Sequence, residues 1–194
     1  MLMSLFWSKD DPHALAVGMT GVKMGDRFMQ VGCVHGGRLA AIAAKAGLSG
    51  RAVAIVPDEP AAARARKGGE QAGVLIEVEI APPTRLPADD ESFDVAVVDD
   101  TGGLFSTMTP EQRILVVREL LRILRPGGRA IVIGTVPRGG LGALLTRTKV
   151  NPQLESKGGA AAALEADGFS CARTLAQREG LVFVEGIKRR LVSR

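Results

Sequence analysis

Phe93-Asp94-Val95-Ala96-Val97-Val98-Asp99-Asp100, followed by Thr109-Pro110-Glu111-Gln112 and then by Leu121-Arg122-Ile123-Leu124-Arg125-Pro126-Gly127-Gly128-Arg129-Ala130-Ile131-Val132-Ile133, decides the fold of this chain. The run from Phe93 to Val98 is short, apolar and valine-rich with acidic residues on both sides, which is the pattern of a parallel strand buried on both faces. Thr109 to Gln112 then opens a helix, with a hydroxyl cap, proline at the first helical position and an amide three residues after the cap. Ile114, Val117, Leu121 and Leu124 fall on one helical face and are expected to cover the sheet. Pro126-Gly127-Gly128 is expected to stop that helix, because proline cannot continue it and glycine accepts left-handed angles. Ala130 to Ile133 reads as the next buried strand, which completes one strand, crossover helix, parallel strand unit.

Working outward, a leader from Phe6 to Met19 precedes a first strand at Arg27 to Val31, and a loop Gly32-Cys33-Val34-His35-Gly36-Gly37 follows it. Leu39, Ile42, Ala43 and Ala46 carry helical spacing up to a glycine at Gly47. Ala52 to Val56 reads as strand, Glu59 to Gly69 as helix, and Val74 to Ile80 as a third strand. Beyond Ile133, Pro137 to Gly158 is glycine-rich and irregular, the natural place for a lid or substrate region. Ala160 to Ala166 reads as helix, and Phe169 to Ala176 with Leu181 to Ile187 as an antiparallel hairpin at the sheet edge. Together these predict an α/β fold with a mostly parallel sheet and helices on both faces.

The 194 residues, 46% of them hydrophobic, fit one domain over 1–194, with 1–24 as an N-terminal cap. The basic excess is modest, 25 Lys and Arg against 21 Asp and Glu, and the terminal Lys188-Arg189-Arg190 and Arg194 lack interleaved aromatics, so no nucleic-acid site is read. Cys33 and Cys171 are too few for a disulfide framework, and with 2 histidines no zinc site of the usual spacing is available. A reducing, cytoplasmic setting follows. Met1 to Trp7 is apolar but too short for a span and lacks a basic n-region, so no membrane span is expected. Leu2, Leu5, Phe6 and Trp7 could serve as a core cap or pack on a partner subunit in a homo-oligomer.

The stretch from Leu86-Pro87-Ala88-Asp89-Asp90-Glu91-Ser92-Phe93-Asp94 to Ile133, with Leu164-Glu165-Ala166-Asp167-Gly168-Phe169 near the end, resembles the class I S-adenosylmethionine-dependent methyltransferases. The resemblance implies a Rossmann-like sheet of seven strands with an antiparallel edge strand, S-adenosylmethionine as cofactor, and a small-molecule acceptor. Ligands of such sheets bind beyond the carboxyl ends of the strands. The family's glycine motif, an acid followed by three alternating glycines, falls on Gln30, Gly32, Cys33, Val34, His35 and Gly36. Gln30 stands where the acid is usual and Val34 where the middle glycine is. Cys33 reads as a small packing residue beside the cofactor, and His35 as an exposed loop histidine or a base.

After the second strand the resemblance implies an acid on the ribose hydroxyls. The register gives Pro57, with Asp58 one step later, either a ribose contact or a helix N-cap. After the third strand the family's adenine-binding aspartate falls on Pro82, leaving apolar packing and backbone groups at Pro83 and Thr84. Asp89, Asp90 and Glu91 read as a solvated turn. Asp99 and Asp100, after the fourth strand, are the candidate catalytic carboxylates, and Asp99 also counts among the cofactor contacts. Two further readings stay open. The altered positions suit a degenerate methyltransferase-fold protein that binds the cofactor weakly or not at all and serves as an interaction module. The remaining reading is a dinucleotide-dependent oxidoreductase or another α/β enzyme.

Overall fold

The computed structural model describes residues 11–136 and 159–190. The apolar start at Met1 to Trp7 and the expected lid at 137–158 lie outside the described residues. Strands β1 (Arg27–Val31), β2 (Arg51–Val56), β3 (Glu77–Ile80), β4 (Phe93–Asp99), β5 (Leu124–Thr135), β6 (Ser170–Arg178) and β7 (Leu181–Ile187) form one sheet in the order β3-β2-β1-β4-β5-β7-β6. Strands β1 to β5 run parallel, and β7 is antiparallel to both β5 and β6. The expected mostly parallel sheet is therefore present, with the reversed strand one place in from the edge. Glu179 (φ 56°) and Gly180 (φ 76°) make the tight turn of its hairpin, both left-handed as a two-residue loop requires.

Helices α1 (Ala14–Thr20), α2 (Gly36–Ala43) and α3 (Glu59–Ala72) cover one face, and α4 (Pro110–Ile123) with α5, which spans Gly159–Ala166, covers the other. Alternation along each strand feeds both layers. Phe28, Val95, Val97, Ile131 and Phe183 face the first, while Met29, Val31, Ala96, Val98 and Val132 face the second. Helix α4 begins as expected, with Thr109 Oγ1 accepting from Gln112 N and the Gln112 side chain accepting from Thr109 N. The expected face is present in part: Val117 is buried, Leu121 packs half-buried on the same core and Leu124 is buried as the first residue of β5, whereas Ile114 is exposed and Val116, Leu120 and Ile123 complete the buried side. The helix also stops before the proline. Leu124 is already extended (ψ 136°) and opens β5, one residue ahead of Arg125, on which the steric bar set by Pro126 falls.

The Asp89-Asp90-Glu91 turn is not merely solvated. Arg122 donates to the Leu86 and Ala88 carbonyls, to Asp90 and to Glu119, while Lys188 pairs with Glu91, so the loop before β4 is pinned to α4 and to the end of β7. On the opposite face, Arg129 donates to the Thr20 and Gly21 carbonyls at the end of α1 and pairs with the buried Glu185 of β7. Among the described residues no helix is long and apolar enough to cross a membrane.

Helices α2 and α3 pack closely because Gly36 meets Gly68: a β-carbon on Gly68 would strike the Gly36 carbonyl, and one on Gly36 the Arg64 carbonyl. Helix propensity alone gives a Gly to Ala change in a helix about 1 kcal/mol of stabilisation. Gly68→Ala should instead cost about 1–3 kcal/mol, since backbone cannot yield as a side chain can. Gly18→Ala in α1, where nothing lies within 4 Å, should gain up to about 1 kcal/mol. Urea unfolding of the two variants beside the parent reads both signs.

Candidate active site

Strand register brings the sequence-predicted loops to one edge. Val31 pairs with Ile55 and Val98, Val56 with Ile80, and Asp99 with Ile133, so the segments after β1, β2, β3 and β4 emerge side by side. Gly32 turns the chain with φ 81°, and a β-carbon there would lie 3.0 Å from the Asp99 carbonyl, so a glycine is required for β1 to leave the sheet beside β4. Gln30, 1% exposed, donates from Nε2 to the Gly32 carbonyl at 2.9 Å. Its Oε1 is buried without a partner. Cys33 packs into the core, where burial and then the Asp99 charge push its thiol up to about 11, so it stays protonated. Val34 reaches across the edge: its Cγ2 lies 2.8 Å from where a β-carbon on Gly102 would stand. Gly36 contributes the close approach to α3 described above.

The two carboxylates at the end of β4 point to opposite faces. Asp99, 1% exposed, accepts from Arg38 Nη2 at 2.7 Å, Thr101 Oγ1 at 2.6 Å and Val34 N at 3.0 Å. Arg38 is itself 5% exposed and also meets the Thr101 hydroxyl at 2.7 Å. Burial on its own pushes Asp99 up, but the Arg38 charge and the three donors outweigh it and hold the carboxyl below its ordinary value. Asp100 is only half-buried and accepts from Phe105 N at 2.8 Å, which caps the short 3₁₀ turn Phe105–Thr107. Burial, reinforced by the neighbouring Asp99 and opposed by the Phe105 N–H and Arg113, pushes Asp100 up to about 6. Arg113 holds the same turn through the Phe105 and Met108 carbonyls.

Asp58 Oδ1 accepts from Ala61 N at 2.8 Å and is the N-cap of α3, with Pro57 exposed beside it. Pro83 and Thr84 lie half-buried in a turn closed by Arg85 N to the Pro82 carbonyl. His35 is exposed and precedes α2 without a side-chain capping bond. Sequence reading missed Arg38, Thr101 and His13. Arg38 had a signal, a lone arginine inside the apolar run of α2. His13 had none, because it reaches the site through the fold: its Nε2 lies 3.0 Å from where a β-carbon on Gly37 would stand. Burial lowers the His13 pKa, as do the nearby Arg38 and His35 charges against the opposing pull of Asp11, so its imidazole is neutral at pH 7.

Residues 29–132 match the family model described as a methyltransferase domain, and the chain belongs to that family. The resemblance to class I S-adenosylmethionine-dependent methyltransferases is thereby borne out, and S-adenosylmethionine is the cofactor that membership implies. Among curated proteins, methyltransferase GfsG of Streptomyces halstedii is 31% identical over 120 residues, which cover 62% of this chain and 41% of that protein, so the match spans less than half of the relative's length. Among solved structures, a SAM dependent methyltransferase from Aquifex aeolicus superposes with a TM-score of 0.69 at 19% identity, over 92% of this chain and 94% of that one. The [4+2]-cyclase SpnF superposes with a TM-score of 0.63 at 19% identity, over 90% of this chain and 78% of that one. A cyclase among these neighbours shows that the fold by itself does not fix the reaction.

The residues present fit such a cofactor at the glycine loop, where the buried Gln30 Oε1 still lacks a hydrogen-bond partner. Asp99, by contrast, is taken up within the protein. Its depressed pKa contributes stability that is present above about pH 3.8, the unfolded value, and is lost as pH falls through the folded value. Arg38→Met should therefore destabilise the fold by about 3–5 kcal/mol at pH 7, because it leaves a buried charge unpaired. Urea unfolding should find the deficit shrinking as pH falls towards 4.

Proposed function

We propose that this chain transfers a methyl group from S-adenosylmethionine to a small-molecule acceptor. The observation that carries this reading is Asp100, a half-buried carboxyl at the end of β4 pushed up to about 6. A group with that pKa accepts a proton near neutrality far better than an ordinary carboxylate does. Asp100 takes the proton of the acceptor's nucleophile, and Asp99 with Arg38 keeps the surrounding loops in place. Gln30, Gly32, Cys33, Val34 and Gly36 take the amino-acid end of the methyl donor, Pro57 and Asp58 the ribose, and Pro83 and Thr84 the adenine. When bound, S-adenosylmethionine supplies the activated methyl group, and in-line positioning of the acceptor does most of the rest. The free thiols, Cys33 buried and Cys171 exposed, support a reducing cytoplasmic setting.

The second reading, a scaffold that binds the methyl donor weakly or not at all, is favoured by one close approach, Val34 against Gly102 at the ligand edge of the sheet. Calorimetric titration with S-adenosylmethionine and S-adenosylhomocysteine decides between the two: micromolar binding supports the enzyme, and absence of heat at millimolar ligand overturns it. Val34→Gly should tighten S-adenosylhomocysteine binding about tenfold if the valine crowds the site. Unchanged affinity would remove the steric argument.

The pH dependence of Asp100 has two readouts. Its folded pKa lies above the unfolded 3.8, so the stability linked to it is full below about pH 4 and is lost as pH rises through about 6. Asp100→Asn keeps an oxygen for the Phe105 N–H and should stabilise the protein at pH 7 by about 2–3 kcal/mol. A parent whose base is Asp100 should gain methyl transfer as pH rises through about 6, and the same variant should abolish that rise.

A further inference from the structure

We propose that Gln30 is the specificity-determining residue for the amino end of the methyl donor, acting as a neutral hydrogen-bond acceptor in place of a charge. This rests on the methyl-donor binding proposed above. The Gly32 carbonyl fixes which way the amide faces, because it needs a donor and only the Nε2 side can supply one, at 2.9 Å. Oε1 is thereby turned away from Gly32, and it is the buried side-chain polar atom left without a partner among the described residues. An acceptor in that state costs free energy in the ligand-free fold and regains it when an N–H group arrives.

The same geometry explains why an amide stands here. A carboxylate would set its oxygen against the Gly32 carbonyl, two acceptors facing each other with no proton between them. The amide satisfies the loop with one end and leaves the other for a ligand. An ammonium group is the chemistry that suits it, offering donors to a single neutral oxygen. Because Oε1 is buried, the loop from Gly32 to His35 must shift slightly to admit that group.

The test is calorimetry of the parent, Gln30→Leu and Gln30→Glu with S-adenosylhomocysteine, which carries the amino-acid end, and with 5′-methylthioadenosine, which lacks it. The parent should prefer S-adenosylhomocysteine. Gln30→Leu should bind it at least about tenfold more weakly while holding methylthioadenosine unchanged. Gln30→Glu should not tighten S-adenosylhomocysteine and should melt at a lower temperature than the parent. Equal loss of both ligands in Gln30→Leu would mean that the side chain merely props the loop, and unchanged S-adenosylhomocysteine affinity would mean that Oε1 meets no ligand. Either outcome overturns the proposal while leaving methyl-donor binding intact. Tighter binding by Gln30→Glu would overturn it too, by showing that charge is what the position lacks. A parent that binds neither nucleoside overturns the functional reading itself.

Discussion

A buried carboxylate holds the ligand edge of the sheet together. Asp99 sits at the end of β4 with 1% exposure, and its oxygens are satisfied by α2 through Arg38, by the glycine loop through Val34 N, and by its own following loop through Thr101. Each partner comes from a different segment, so the ion pair sets where those segments stand relative to one another. A charge at that depth persists only when paired and fully hydrogen-bonded. The arrangement is therefore all or nothing: loss of one partner leaves a charge that the rest of the site cannot solvate.

With that anchor in place, the neighbouring carboxylate is free for other work. Alternation along β4 turns Asp100 to the opposite face, towards Phe105 and Arg113, where it is less deeply covered. Two adjacent carboxyls thus acquire opposite pKa directions from their environments, one held down by arginine and donors, the other pushed up by burial and by its neighbour's charge. Separation of this kind is how one short segment divides between structure and proton chemistry.

The sheet was legible because both its burial and its punctuation are local. Phe93 to Val98 announces a strand by composition, and Thr109-Pro110-Glu111-Gln112 announces a helix start by capping chemistry; both stand where expected. The face of α4 is legible only in part, because the sequence offers apolar side chains nearly all round that helix, and which of them is covered depends on the angle at which it meets the sheet. Val117 is covered as its spacing suggests, while Ile114 loses its place to Val116 and Leu120. The start of β5 was misread for a related reason: pairing of Gly127 N and the Gly128 carbonyl with Lys188, far along the chain, extends the strand through residues that look like a turn. In the site, the loops are placed by topology, and Arg38 shows in the sequence only as a lone arginine in an apolar run; that it meets Asp99 and Thr101, and that His13 reaches Gly37, depends on contacts between segments that no spacing encodes.

The far edge of the sheet ends on β3, four residues whose alternation sets Glu77 and Glu79 on the same side. Arg51 engages Glu77 bidentately from the neighbouring strand, which keeps that acid near the rim. A second strand laid antiparallel along this border from another copy would bring rows of like charge into register, while the unpaired amides alone would welcome it. Edge-to-edge pairing is thus discouraged at little cost to the fold along a border that no described strand covers.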